Sequence, residues 1–557
     1  MDKVTSHSWL DEKHNRLSAR FAERHQSVLR QFFARDPSLW PLYKIKEIKE
    51  LVNSKKNLFT PYNLALRQRI SRESAIPQQV NPLVRFDPLA LYAAATTKNW
   101  DDPASVENVI STPCDPAIHG AMLATIANPN LVYSEYAGNA TELEKVVVRQ
   151  MANLVGYDAA DATGLFTQGG TFCNLYGYLL GLRKCFPDSV MRGFRDKQFA
   201  FINSQAGHYS NMTNLSLLGV NIEEQLIRVR LRENNQIDVQ DLAKQLDNCL
   251  QEGKAVPTIL LTFGTTDTFA IDDVAEVYLT RERICRQYAL SYRPHIHVDA
   301  AVGWSLLFFR DYDFAQNPLG INSATLDGIE GHASLINGLR FADSISIDFQ
   351  KWGYVPYTSS LLLVKKRQDM EFLKQDPNYF SYFEPQQRDN THLQATIECS
   401  RSAVGVFSAY SALASMGFEG YQTLVAHGLQ NANYMRCLLS QWPNCFVVSG
   451  ENQGPCVTFR LYNPQLKESA QAQFYRERRL IKQKAYMENI VSSATFHRNH
   501  FLSRQRRELK TNWITSMART DYDEQGHCLF LPGEKAVFLN PNTQRSDIEA
   551  FVHGLFS

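Results

Sequence analysis

Between Trp9 and about Arg35, apolar residues return at helical spacing (Leu10, Leu17, Phe21, Val28, Phe32) among charged neighbours. One face is thereby apolar, which predicts an amphipathic helix that packs either on its own domain or on a second copy of the chain. Thr141-Glu-Leu-Glu144 fits a capping box, and Leu143, Val147, Met151 and Leu154 continue one face until Gly156, which predicts a helix over about 142–155. Short apolar runs bounded by turn residues then alternate with helical stretches: Phe199 to Ile202, Thr258 to Phe263, Ile296 to Val298, Ser344 to Ile347 and Leu361 to Val364. Such alternation predicts an α/β domain built on a largely parallel sheet. After about residue 400, a helix rich in small residues (Ala403 to Met416) leads into further strands, Phe446 to Val448, Val457 to Leu461 and Val537 to Leu539. The expected division is an N-terminal helical segment (1–110), a large α/β domain (111–400) and a small C-terminal α+β domain (401–557). Lys467 to Lys510 is rich in Lys and Arg, but Glu477, Glu488 and Glu508 are interspersed, so it reads as a solvated helical face.

Composition narrows the class. A chain of 557 residues exceeds what one growing core accommodates, and 44% hydrophobic with 21% charged residues is ordinary for a soluble globular protein. The formal net charge of +1 supplies no one-sided basic field, which argues against nucleic acid or an anionic membrane as partner. Ten cysteines are scattered without a CxxC pair and read as reduced thiols of a reducing compartment. The first residues are charged rather than apolar, and no run approaches about 18 apolar residues, so the cytoplasm is the expected location.

Candidate chemistry lies just after the strand runs, where open α/β sheets bind ligands. Gly164-Leu-Phe-Thr-Gln-Gly169-Gly170-Thr171 precedes an apolar helical run and forms either a tight turn or a phosphate cradle of backbone N–H groups, a hydroxyl and a helix N-terminus. His208 follows the strand ending near Ile202, where its imidazole is structural or stacks on a planar ring. Thr265 and Thr266 end another strand with small hydroxyl residues. Asp299, in Ile296-His-Val-Asp299-Ala-Ala301, is either a helix cap or the partner of a protonated pyridine nitrogen. Lys351 follows Ser344-Ile-Ser-Ile-Asp348-Phe-Gln350 directly, among apolar and aromatic residues, where desolvation is expected to lower its pKa and keep the amine nucleophilic.

In this order and spacing, the segments resemble the group II pyridoxal 5'-phosphate (PLP) decarboxylases of amino acids, over roughly residues 110–420. The resemblance implies an aspartate aminotransferase-like transferase fold (fold type I), a PLP cofactor and decarboxylation of an L-amino acid to its amine. It implies Lys351 as the Schiff-base lysine, Asp299 on the pyridine nitrogen, and His208 and Ala301 on the two ring faces. Gly169, Gly170 and Thr171 would hold the phosphate, Thr266 with its neighbour Thr265 would lie near the ring hydroxyl, and Asp348 near the phosphate. Arg401 matches an arginine that binds substrate carboxylate in some members, or else it forms a structural ion pair. A tyrosine on a mobile loop would be Tyr379 or Tyr382. The sequence departs from the family at Gln350, where histidine is usual; glutamine can still donate a hydrogen bond to phosphate but cannot titrate. The resemblance also implies a homodimer. A PLP-dependent carbon–carbon lyase, a decarboxylating aldehyde synthase and a non-catalytic PLP-fold regulator are the alternatives.

Overall fold

The computed structural model describes residues 9, 11–33, 90, 93–94, 96–132, 134–375, 395–462, 468–480, 509–522 and 528–556, of which 512–522, 528–530 and 532 by backbone alone. Met1–Phe33 with Asp101–Ser557 form one compact unit and Ala34–Trp100 another.

The centre of the larger unit is a seven-stranded sheet of β1 (Thr163–Thr167), β2 (Phe201–Ser204), β3 (Leu226–Val229), β4 (Thr258–Thr262), β5 (His295–Asp299), β6 (Ser344–Asp348) and β7 (Ser360–Val364), in the order β1-β7-β6-β5-β4-β2-β3. The pairs from β3 through β6 are parallel, and β7 runs against both its neighbours. Every residue of β2, β4, β5, β6 and β7 is buried, as a sheet covered on both faces requires. The predicted α/β class with a largely parallel sheet is therefore observed. β3 carries only a short run interrupted by Arg228, and β1 contains Gly164, so neither stands out in the sequence as a strand.

The helix predicted over 142–155 spans Ala140–Val155 and closes at Gly156, whose φ of 89° suits a glycine. Its capping box does not form. Thr141 Oγ1 donates to Gly138 O at 3.0 Å, and the Glu144 carboxylate, instead of reaching back, accepts the Phe166 N–H at 2.8 Å and pairs with Arg401. Burial of Glu144 against β1 overrides the local motif.

The N-terminal amphipathic helix is Ala19–Phe32, capped by Ser18, whose Oγ accepts from Phe21 N. It packs on its own chain: His25 stacks on His427 of the helix Val404–Ser440, with ring centroids 3.5 Å apart. That long helix covers the predicted Ala403–Met416 and breaks at Gly417, where φ is 56°.

A second, antiparallel sheet of order β10-β11-β9-β8 comprises β8 (Cys445–Val448), β9 (Cys456–Leu461), β10 (Asn512–Tyr522) and β11 (Cys528–Val537). The strand expected at Val537–Leu539 thus lies mainly earlier. In the basic stretch, Ala470–Leu480 is helical but not wholly solvated, since buried Glu477 accepts from Arg460 Nε at 2.8 Å; residues 481–508 lie outside the described set. The nine cysteines whose side chains are described are all free. Among the described residues no helix is long and apolar enough to cross a membrane.

Candidate active site

β1, β2, β4, β5 and β6 point the same way, so their carboxyl ends gather Gly169, His208, Thr265, Asp299 and Lys351 along one edge. Alternation along β5 and β6 does the positioning. His295, His297 and Asp299 point to one face, as do Ser344, Ser346 and Asp348, and His297 is in register with Ser344. On that face lies the helix Gly170–Cys185, whose Asn174, Gly177, Gly181 and Lys184 recur at i+3 or i+4. Gly177 is required there, because a Cβ would lie 2.3 Å from the His297 ring.

Lys351 Nζ lies 3.0 Å from Asp348 Oδ2, which places the lysine in the connection between β6 and β7. Its amine is not poised as expected from burial. Desolvation does favour the neutral form, but Asp348 and Asp299 together outweigh it and hold the pKa above the ordinary lysine value. In the free chain, two carboxylates keep Lys351 cationic. Asp348 Oδ1 also accepts from Ser360 Oγ at 2.5 Å, and a Cβ on Gly170 would come within 2.8 Å of its carboxylate, so the start of the helix Gly170–Cys185, Asp348 and Lys351 form one cluster. Gly169, at φ 127°, caps that helix, with open space where a side chain would stand.

Asp299 is buried and held by two donors: Asn174 Nδ2 at 2.8 Å and Ala301 N at 3.1 Å. Asn174 and the histidine behind it, His297, have positions in the sequence motifs but no role assigned by sequence reasoning. The readable signal was the strict polar/apolar alternation of His295-Ile-His-Val-Asp299 and Ser344-Ile-Ser-Ile-Asp348 in strands that are buried on both faces.

His208 lines a cavity of about 220 Å³ together with Gly207, Thr265, Thr266 and Asp267. Its Nδ1 lies 2.7 Å from Ser210 Oγ. Thr265 Oγ1 is engaged within its own loop, accepting from Ala270 N at 2.8 Å, and the Thr266 carbonyl accepts from Lys535 Nζ at 3.3 Å. The Thr171 carbonyl accepts from Asn214 Nδ2 at 2.8 Å.

Two of the expected site residues are engaged by other groups of the chain. Arg401 is turned into the core: its guanidinium grips Glu144 at 2.6 and 3.1 Å and donates to Phe166 O at 3.0 Å, with both side chains 1% exposed. This is the structural ion pair that the sequence left open as the alternative to a substrate clamp. Gln350 lies in the β6–β7 connection, with Oε1 accepting from Ser359 N at 2.9 Å and Nε2 donating to Ser360 Oγ at 2.8 Å. Tyr379 and Tyr382 lie outside the described residues.

A site with a buried carboxylate at one strand end, a lysine at the next and a glycine-led helix N-terminus beside them defines a fold type I PLP-dependent protein. Known proteins agree. The pyridoxal-dependent decarboxylase conserved domain matches residues 91–462, and the chain belongs to that family. It is 26% identical over 308 residues to the L-2,4-diaminobutyrate decarboxylase of Acinetobacter baumannii, covering 53% of this chain and 54% of the relative. To the L-aspartate decarboxylase dtxS4 of Metarhizium robertsii it is 23% identical over 397 residues, 71% and 72% of the two chains. The matches to the diaminobutyrate decarboxylases of A. baumannii and Rhizobium meliloti span little more than half of those relatives' length. Mouse CSAD in apo form shares the fold at TM-score 0.70 and 17% identity, covering 92% of this chain and 97% of that one. Oryza sativa TDC with PLP and tryptamine does so at 0.69 and 15%, covering 96% and 97%.

The residues present fit PLP. Asn211 Nδ2 and Thr262 Oγ1 are buried without hydrogen-bond partners, and both border Gly207, which lines the cavity beside His208. A polar planar ligand there would satisfy groups that are otherwise costly to bury. Gly169 and Gly170 leave backbone N–H groups accessible to a phosphate.

Proposed function

We propose that the protein decarboxylates an L-amino acid to the corresponding amine and CO2, using PLP held at Lys351. The observation that carries this reading is the placement of Lys351 and Asp299 at the carboxyl ends of adjacent strands, with Lys351 within the field of both Asp299 and Asp348. Bound PLP supplies an electron sink for the carbanion left when CO2 departs.

The chain's own residues do the rest. Asp299, fixed by Asn174 and Ala301, would offer its carboxylate to the pyridine nitrogen and keep it cationic. His208 and Ala301 would flank the ring, Gly169, Gly170 and Thr171 would take the phosphate with Asp348 beside them, and Thr265 and Thr266 would border the ring's hydroxyl side. Lys351 would hold the cofactor, and the carboxylate of Asp348, 3.0 Å from its amine, stabilises the ammonium form. Arg401, engaged with Glu144 and the Phe166 carbonyl, supports β1 beside the site, and in this reading substrate recognition falls to other groups.

The same reading includes a cytoplasmic homodimer with two lobes, 111–400 around the seven-stranded sheet and 401–557 around the four-stranded one. The absence of disulfides among the described cysteines supports a reducing compartment. Leu123, Ile126 and Tyr136, each at least 60% exposed, support an apolar face covered by a second copy.

The test is mass spectrometry of PLP-loaded protein with a pool of amino acids. A product lighter by CO2 in the wild type and missing in Lys351→Ala is expected. Turnover by Lys351→Ala, or aldehyde as the product, overturns the proposal.

A further inference from the structure

Behind Asp299 runs a line of polar groups that the proposed chemistry does not use. Lys184 Nζ is 2.7 Å from Asp369 Oδ2 and 3.4 Å from His295 Nδ1. His295 Nε2 is 2.7 Å from Ser344 Oγ, which is also 2.7 Å from His297 Nδ1. His297 Nε2 is 3.0 Å from Asn174 Oδ1 and 2.9 Å from Ser346 Oγ, while Asn174 Nδ2 is 2.8 Å from Asp299 Oδ2. His295, His297, Ser344 and Ser346 are completely buried.

The donors and acceptors can be assigned from either end. A carboxylate only accepts, so Asn174 must present its amide nitrogen to Asp299 and its oxygen to His297. That oxygen, which also accepts from Ser346 Oγ at 2.7 Å, requires the proton of His297 on Nε2. His297 Nδ1 is then bare and must receive the Ser344 hydroxyl proton. Ser344 Oγ has no second proton to give, so it accepts from His295 Nε2–H, which leaves His295 Nδ1 bare. From the opposite end, an ammonium has no lone pair, so Lys184 donates to that same Nδ1. The two assignments meet without conflict.

We propose that Lys184 is a positioning residue for Asp299: through His295, Ser344, His297 and Asn174 it polarises one hydrogen-bonded line in a single direction, with a cation at its start and the pyridine-facing carboxylate at its end. The line holds both histidines as neutral Nε2–H tautomers. Burial agrees, pushing His297 down to about 4 and His295 well below the ordinary histidine range, with Lys184 adding to the effect on His295. Polarised in one direction, successive hydrogen bonds strengthen one another. Asp299 is thereby kept as an acceptor toward Asn174 and aimed at whatever occupies the sheet edge. The role of the line rests on Asp299 facing the cofactor, but its direction does not.

The experiment uses the full chain, labelled with 15N at histidine, before and after PLP is added. His295 and His297 are assigned by the signals lost in His295→Gln and His297→Gln. In the wild type both should be neutral Nε2–H tautomers between pH 5 and 8. In Lys184→Met, His295 should keep the Nε2–H tautomer that the Asp299 end also fixes, but its Nδ1 signal should shift on losing a cationic donor and PLP should bind about tenfold more weakly, a change of about 1.4 kcal/mol. Lys184→Arg, which keeps a cationic donor, should restore both. Ser344→Ala, a smaller change within the line, should leave His297 as the Nε2–H tautomer that Asn174 fixes and the Lys184–Asp369 pair intact, while weakening PLP binding as Lys184→Met does. A protonated or Nδ1–H His295 or His297 in the wild type, or a His295 Nδ1 signal and a PLP affinity indifferent to Lys184→Met, overturns the proposal. Failure of the wild type to take up PLP would instead overturn the cofactor reading and leave the assignment of the line standing.

Discussion

Arg401 and Glu144 face each other as a two-pronged ion pair, Nη1 to Oε1 at 2.6 Å and Nη2 to Oε2 at 3.1 Å, although they stand 257 positions apart in the chain. Removing one member strands a buried charge. Arg401→Leu and Glu144→Gln should each lower stability by about 3–5 kcal/mol. Denaturant midpoints would show it, and the double variant should lose less than the two single losses added together. A variant with unchanged stability but a raised KM would return Arg401 to substrate binding.

Gly177→Ala would place a methyl group 2.3 Å from the His297 ring. Overpacking of this kind costs about 1–3 kcal/mol, and here the displaced ring is the one bonded to Asn174. PLP affinity should fall together with melting temperature. Unimpaired PLP binding would show that His297 does not seat Asn174.

Acid should destabilise the N-terminal helix packing. Burial lowers His25 to about 4 and drives His427 well below its ordinary range. Above pH 6.5 these rings are neutral folded or unfolded, and stability is at its full value. Between 6.5 and 4 the unfolded chain takes up protons that the folded chain refuses, so stability falls with pH, by on the order of 3 kcal/mol for His25. Melting curves from pH 8 to 4 test this, and His25→Phe should make the fall shallower.

Glu534 works in the opposite direction. Burial, only partly offset by the hydrogen bond from Thr511 Oγ1 at 3.2 Å, raises its carboxyl to about 8. Its contribution is complete below the ordinary carboxyl value and is lost as pH rises toward 8, because the unfolded chain ionises first. Glu534→Gln, which cannot ionise, should melt higher than the wild type at pH 8 and show little difference at pH 4.5.

Gln350→His restores the residue usual in the family. Its two ring nitrogens can replace the bonds to Ser359 N and Ser360 Oγ one for one. Amine formation should acquire an extra acid-side limb in its pH profile that the wild type lacks. An identical profile would show that this position takes no part in proton movement.

The site was legible where residue type alone restricts the chemistry. A lysine after Ser344-Ile-Ser-Ile-Asp348 and an aspartate after His295-Ile-His-Val have few reasons to stand at strand ends, and the structure puts them on adjacent strands. What the sequence concealed was pairing at a distance. Nothing near Arg401 announces Glu144, and nothing near Gln350 shows that its amide turns toward Ser359 and Ser360. The capping box failed for the same reason: Thr141 and Glu144 satisfy a local rule, but burial against β1 gives Glu144 a stronger partner. The lowered lysine pKa failed because desolvation was weighed without the two carboxylates that the fold brings to Lys351.

The antiparallel placement of β7 bears on the order of folding. Asp348 is in register with Ser360, so the segment carrying Lys351 is closed at its base by a short hairpin. Closing so short a loop costs little chain entropy, whereas the Glu144–Arg401 contact must wait for distant segments to meet. On these grounds the lysine's own loop is expected to set early, before the walls around it are in place, and defects in distant packing should yield protein that retains this hairpin while lacking a closed site.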